Sequence, residues 1–75
     1  MARDARQRFG DAVRALRREA GLTQEQLADK TGLHVTYIAG IETGRRNPSL
    51  RSILALADGL GVAASELLRR MEGAA

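Results

Sequence analysis

The sequence predicts an all-α domain built from five short helices, and three observations carry that prediction. Apolar residues recur at spacings of three and four along most of the chain. Glycines and a lone proline, Pro48, interrupt that pattern every ten or so residues. No stretch alternates apolar and polar residues as a half-buried strand would. At 75 residues the chain is read as a single domain, residues 1–75, able to bury only about 60% of its unfolded surface. It has no cysteine to staple so small a core, so apolar packing, within one chain or across two copies, has to hold it.

The first helix is expected over residues 5–20, where Phe9, Val13, Leu16 and Ala20 share one stripe among arginines and Gly21 marks the end. Thr23 with Gln26 three residues on is a capping box, so a second helix starts there. It lasts about two turns before Gly32 and points Leu27 and Ala28 inward. The third, "HVTYIAGIE" over 34–42, is made of poor helix formers with Gly40 in the middle. Tyr37, Ile38 and Ile41 still fall at helical spacing, so packing has to outweigh propensity there. "RRNPS" is a loop after Gly44: Pro48 cannot continue a helix, and Ser49 is a good N-cap for the next one. Leu50, Ile53, Leu54, Ala57 and Leu60 mark that fourth helix, closed by Gly61. Leu67, Leu68 and Met71 mark a fifth over 64–72. Ala63 stands where a capping Ser, Thr or Asp would add about 1 kcal/mol, so the fifth helix relies on packing.

The net charge is +3 and the isoelectric point about 10.6, but position says more than total. From Lys30 to Ala57 the chain carries Lys30, Arg45, Arg46 and Arg51 against one acid, Glu42, while the other acids lie outside. A cationic middle with mixed ends points to one surface that meets an anion. Without cysteine, thiolate chemistry, cysteine-ligated zinc and disulfides are excluded. There is no nucleophile with a His–carboxylate pair, no glycine-rich phosphate loop and no metal-ligand cluster, so no catalytic residue, cofactor, metal or small-molecule ligand is expected. His34 is the lone histidine, leaving it a surface residue or a contact to the partner. No run of about 18 apolar residues exists to span a membrane. "MARDARQRFG" lacks the apolar segment of a signal peptide, so a cytoplasmic protein is expected.

Two short helices, 23–31 and 34–42, joined by a turn containing Gly32 form the helix-turn-helix pattern. In its DNA-binding versions the second helix lies in the major groove. "LTQEQLA", "YIAGIETG", "NPSL" and "LADGLGV" follow in that order. Together, over about residues 8–70, they resemble the lambda-repressor-like, or Xre-type, transcriptional regulators. Within that family the pattern is most similar to the controller proteins of restriction–modification systems, which are small dimeric regulators.

The resemblance implies a five-helix domain that binds double-stranded DNA at a palindromic operator. It places His34, Val35, Thr36 and Ala39 at base edges, and Gln24, Tyr37, Thr43, Arg45, Arg46 and Asn47 on the DNA backbone. Arg17 and Glu42 match a pair that forms an internal salt bridge from the first helix to the third. Tyr37 can serve as core residue, backbone contact or both. Gly40 implies close approach, either to DNA or to a partner helix. A homodimer is expected, with half-sites about 34 Å apart. Leu67, Leu68 and Met71 are the expected contact, because so small a core cannot take in all three. One departure stands out. Controller-like relatives usually carry an arginine where this chain has Val35, which offers a thymine methyl apolar contact but no grip on guanine O6 and N7. Two other readings are disfavoured, because 34–42 carries no acid but Glu42 and the arginines are spread over loops and several helices. A docking module for another protein would want acidic or apolar residues on the outer face of 34–42, and a membrane-surface helix would gather its arginines on one helix.

Overall fold

Asp4 opens the chain's first regular element, and the computed structural model describes residues 4–73 from there. The helices are α1 (Ala5–Glu19), α2 (Gln24–Thr31), α3 (Val35–Glu42), α4 (Leu50–Leu60) and α5 (Ala64–Gly73), with no strand among the described residues. Three of them begin at side-chain caps. The Asp4 carboxylate accepts from the Arg6 N–H at 2.7 Å while the Gln7 side chain accepts from the Asp4 N–H. Thr23 and Gln26 make the reciprocal box at 3.0 and 2.8 Å, and Ser49 Oγ accepts from the Ser52 N–H at 3.1 Å. Each such cap satisfies donors that the first helical turn leaves without partners.

The core gathers one face from every helix: Phe9, Val13 and Leu16 from α1, Leu27 from α2, Ile38 and Ile41 from α3, Leu56, Ala57 and Leu60 from α4, and Leu67 from α5. α1 packs on α3 and α5, and α2 packs on α3 and α4, so the short third helix is held from both sides. That supports the poor helix formers of "HVTYIAGIE": Ile38 and Ile41 are fully buried.

Close approach of α1 to α3 depends on Gly10, a residue whose role the sequence pattern does not reveal. A Cβ there would lie 2.8 Å from the Glu42 carbonyl oxygen and closer still to that of Ile41. Both obstacles are backbone, which cannot swing aside. Propensity alone makes Gly10→Ala stabilising by about 1 kcal/mol; the clash reverses the sign. We expect Gly10→Ala to lower stability by about 1–3 kcal/mol, readable as an earlier midpoint in urea denaturation. A later midpoint would show that α1 and α3 are not in backbone contact at this point.

The buried faces differ from the sequence reading in three places. Ala20 is exposed, as the C-cap of α1 rather than part of its stripe. In α4 the inward residues are Ser52, Leu56, Ala57 and Leu60, while Leu50 and Leu54 stand 72% and 53% exposed. The segment "LRSILALADGL" is apolar on nearly every side, so several stripes of similar strength compete. In α5, Leu67 is fully buried in its own domain. Its side chain is therefore not available at the surface, whereas Leu68 is partly exposed and Met71 half-buried. No helix of the described residues is long and apolar enough to cross a membrane.

Candidate nucleic-acid interface

The turn between α2 and α3 sets the angle at which α3 is presented. Gly32 caps α2 in the left-handed conformation, φ 74°, and its N–H donates to the Ala28 carbonyl. Thr31 stitches the same turn: its hydroxyl donates to the Leu27 carbonyl at 2.8 Å and accepts from the Leu33 N–H at 3.2 Å. His34 then serves as the N-cap of α3 without a side-chain cap bond, so the helix proper opens at Val35. With Ile38 and Ile41 turned into the core, His34, Val35, Thr36 and Thr43 are left exposed and Ala39 half-buried. Thr36 and Ala39 lie in a concavity with the loop that follows α3, and His34 and Val35 lie at the helix start beside α2.

Glu42, at the far end of α3, is the hub that holds this helix in place. Its side chain has no solvent exposure, yet it is an anion with four donors around it. Arg17 grips it twice, Nε to Oε2 at 2.7 Å and Nη2 to Oε1 at 3.0 Å. Gln24 Nε2 donates to Oε1 at 3.0 Å, and Arg14 Nε approaches it at 3.5 Å. The remaining arm of Arg17 donates to the Leu22 carbonyl at 2.9 Å. One buried carboxylate therefore ties α1, the α1–α2 connection, α2 and α3 together. Burial pushes its pKa up, but the hydrogen bonds from Arg17 and Gln24, with the Arg17 charge, outweigh that and hold it below the ordinary glutamate range.

This hub modifies the role expected of Gln24. Its amide already spends one N–H on Glu42, so any phosphate contact has to come from the other N–H. Tyr37 also has an internal partner. Ser49 Oγ donates to Ser52 Oγ at 3.0 Å and Ser52 Oγ donates to the Tyr37 hydroxyl at 3.2 Å. The Tyr37 hydroxyl is thus tied to Ser52 inside the domain and keeps hydrogen-bonding capacity for one further partner.

The segment after α3 is folded back on it. The N–H groups of Arg45 and Arg46 both donate to the Gly40 carbonyl, at 2.9 and 3.2 Å. The Thr43 hydroxyl donates to the Ala39 carbonyl at 3.1 Å, so its proton is engaged and only its lone pairs face outward. Arg46 lies over the Tyr37 ring, 5.9 Å from its centroid, and a shallow concavity between helix and loop is lined by Thr36, Ala39, Gly40, Thr43, Arg45 and Arg46. Arg45, Arg46, Asn47 and Arg51 are all exposed along this end. The opposite end is different. Glu25 and Asp29 line a concavity with His34 and Val35, so the turn sets two acids of α2 beside the start of α3. The face is therefore polarised, basic at the loop and acidic at the turn. No group of His, Cys, Asp and Glu suited to a metal ion occurs among the described residues.

Comparison with known proteins agrees with this geometry. The helix-turn-helix family matches residues 13–67. The control protein C.BamHI of Bacillus amyloliquefaciens is 42% identical over 69 residues, covering 91% of this chain and 85% of its own. C.MunI of a Mycoplasma species is 40% identical over 70 residues, covering 92% and 95%. The crystal structure of the restriction–modification controller protein C.AhdI from Aeromonas hydrophila superposes with a TM-score of 0.81 at 45% identity, over 83% of this chain and 94% of that one. A short all-α chain with an exposed third helix, a cationic loop behind it and these relatives is a DNA-binding transcriptional regulator. It belongs to the helix-turn-helix family of the Xre type.

Proposed function

We propose that the protein works as a homodimer on an inverted-repeat operator, that α3 enters the major groove, and that the genes it governs are those of a restriction–modification system. The observation that carries this is the polarised outer face of α3. The exposed His34, Val35 and Thr36, with the half-buried Ala39, offer small groups to base edges. The loop carries Arg45 and Arg46 toward the flanking phosphates, while Asn47 after them borders the groove of Ile53, Leu68 and Met71. Tyr37 adds its hydroxyl and Gln24 its second N–H to the backbone set. Glu25 and Asp29 repel phosphate at the turn end, which favours entry with the loop over the sugar–phosphate wall. Val35 implies apolar contact at its base step in place of a guanine grip. Genes for a methyltransferase and an endonuclease next to this one would support the last part of the proposal.

The second copy is placed on the apolar surface of α4 and α5. Leu50 and Leu54, four residues apart, share a stripe of α4, and Ile53 beside them lines a groove with Leu68 and Met71. A protruding stripe next to a receiving groove suits an isologous contact, in which each copy supplies both.

Salt dependence tests the DNA reading. Arg46→Ala is expected to weaken binding to every duplex, specific or not. It should also flatten the slope of log affinity against log salt by about 0.9 for each phosphate the side chain no longer neutralises. An unchanged slope would take Arg46 out of the phosphate set.

A further inference from the structure

Gly40 has no evident reason to sit in the middle of the helix that meets DNA. It lowers helix propensity where the neighbours are already poor, and its φ is not positive, so no special backbone conformation requires it. Nor does it face another helix. A Cβ built on it would meet the side chain of Arg46, 2.6 Å from Cγ and 3.6 Å from Cδ and Nε. The missing side chain is thus a slot, and the stem of Arg46 lies in it. Around that slot everything converges on the same arginine. The Gly40 carbonyl accepts the N–H groups of Arg45 and Arg46, which anchors the backbone of the loop. The Tyr37 ring lies under the guanidinium, and the Ser49–Ser52 hydroxyl chain holds Tyr37 by its oxygen.

We propose that Gly40 is a positioning residue for DNA binding: by lacking a side chain it seats the Arg46 stem against α3, so that the guanidinium is already placed over Tyr37 when the duplex arrives. The proposal rests on the reading that Arg46 contacts DNA. An exposed arginine ordinarily loses much rotamer freedom when it grips a phosphate. Here that ordering is built into the free protein, so less is lost on binding. The residue touches no nucleotide in this scheme; it acts through Arg46.

The test is a double-mutant cycle between Gly40→Ala and Arg46→Ala, read by equilibrium binding to one fixed duplex at several salt concentrations. Alanine is the better helix former, so Gly40→Ala keeps the fold, and a melting curve verifies that it does. If Gly40 were only a gap in the helix, the variant would melt no earlier and bind as well as the unmodified protein. The proposal predicts instead that binding weakens by about two- to tenfold, with the salt slope unchanged because the number of phosphate contacts is the same. In the Arg46→Ala background the same change should leave affinity untouched. Ring-current shifts of the Arg46 side-chain protons nearest the Tyr37 ring are expected in the unmodified protein and should be diminished in Gly40→Ala. Equal losses in both backgrounds, or no loss in either, would overturn the proposal. Failure of the unmodified protein to bind duplex DNA would overturn the DNA reading itself, and unaltered binding by Arg46→Ala would remove the premise about Arg46. The two failures are therefore distinguishable from that of Gly40 alone.

Discussion

Glu42→Ala is expected to cost about 3–5 kcal/mol, a large part of the stability available to a domain of this size. The loss comes less from the missing attraction than from what remains. Arg17, with a side chain only 11% exposed, keeps its charge and its Leu22 bond but is deprived of both bonds to the carboxylate. Gln24 loses its acceptor as well. Replacing Arg17 and Glu42 together by apolar residues of similar volume should therefore be less damaging than Glu42→Ala alone. Circular dichroism melts of the single and double variants check this order; equal stability of Glu42→Ala and the unmodified protein would mean that the hub is not a folding element. The same carboxylate gives stability a pH dependence of definite sign. Its folded pKa lies below the ordinary value of about 4.3, so the unfolded chain binds its proton more readily. The stabilisation is complete above that ordinary value and is lost as the pH falls through the depressed one. Glu42→Gln should make the melting temperature less sensitive to acid over that window.

Replacing the exposed leucines should have the largest effect on function. Leu50→Gln with Leu54→Gln removes two apolar side chains that the isolated domain leaves open to water, so the monomer's fold should be spared. In a two-fold contact the loss is doubled, at about 1.5–3 kcal/mol for each leucine fully buried, which is enough to turn a small dimer into monomers. Two linked half-site contacts then become one, and operator affinity should fall by about 10²- to 10⁴-fold. Sedimentation equilibrium and operator titration measure the two effects on the same sample. A variant that stays dimeric would place the two-fold seam elsewhere, with the groove of Asp11, Ala15 and Arg69 between α1 and α5 as the next candidate surface.

What can be read from the sequence is mostly what short-range chemistry decides. The Thr23–Gln26 box and the Ser49 cap are local signals, and the starts of α2 and α4 follow from them. Ile38 and Ile41 are the only large aliphatic residues placed to bury α3. The five-helix fold follows from the order of such elements together with the family resemblance. Long-range facts are less legible. Leu50 and Leu54 cannot be told from Leu56 in a helix that is apolar all round, and Leu67 and Leu68 differ only by about 100° of rotation about α5. Gly10 and Gly40 are both glycines inside helices. Only the fold shows that one admits a backbone and the other an arginine stem. Glu25 and Asp29 precede the basic segment in the chain, and it is the turn at Gly32 that sets them beside Val35.

Selection of bound duplexes from a random pool is the measurement that bears most directly on sequence-specific DNA recognition by α3. The predicted result is enrichment of an inverted repeat whose half-sites lie about 34 Å apart, one helical turn. Thymine rather than guanine is expected at the step that Val35 faces. A pool that emerges without any enriched sequence would contradict it, and would favour a helix-turn-helix that docks on another protein.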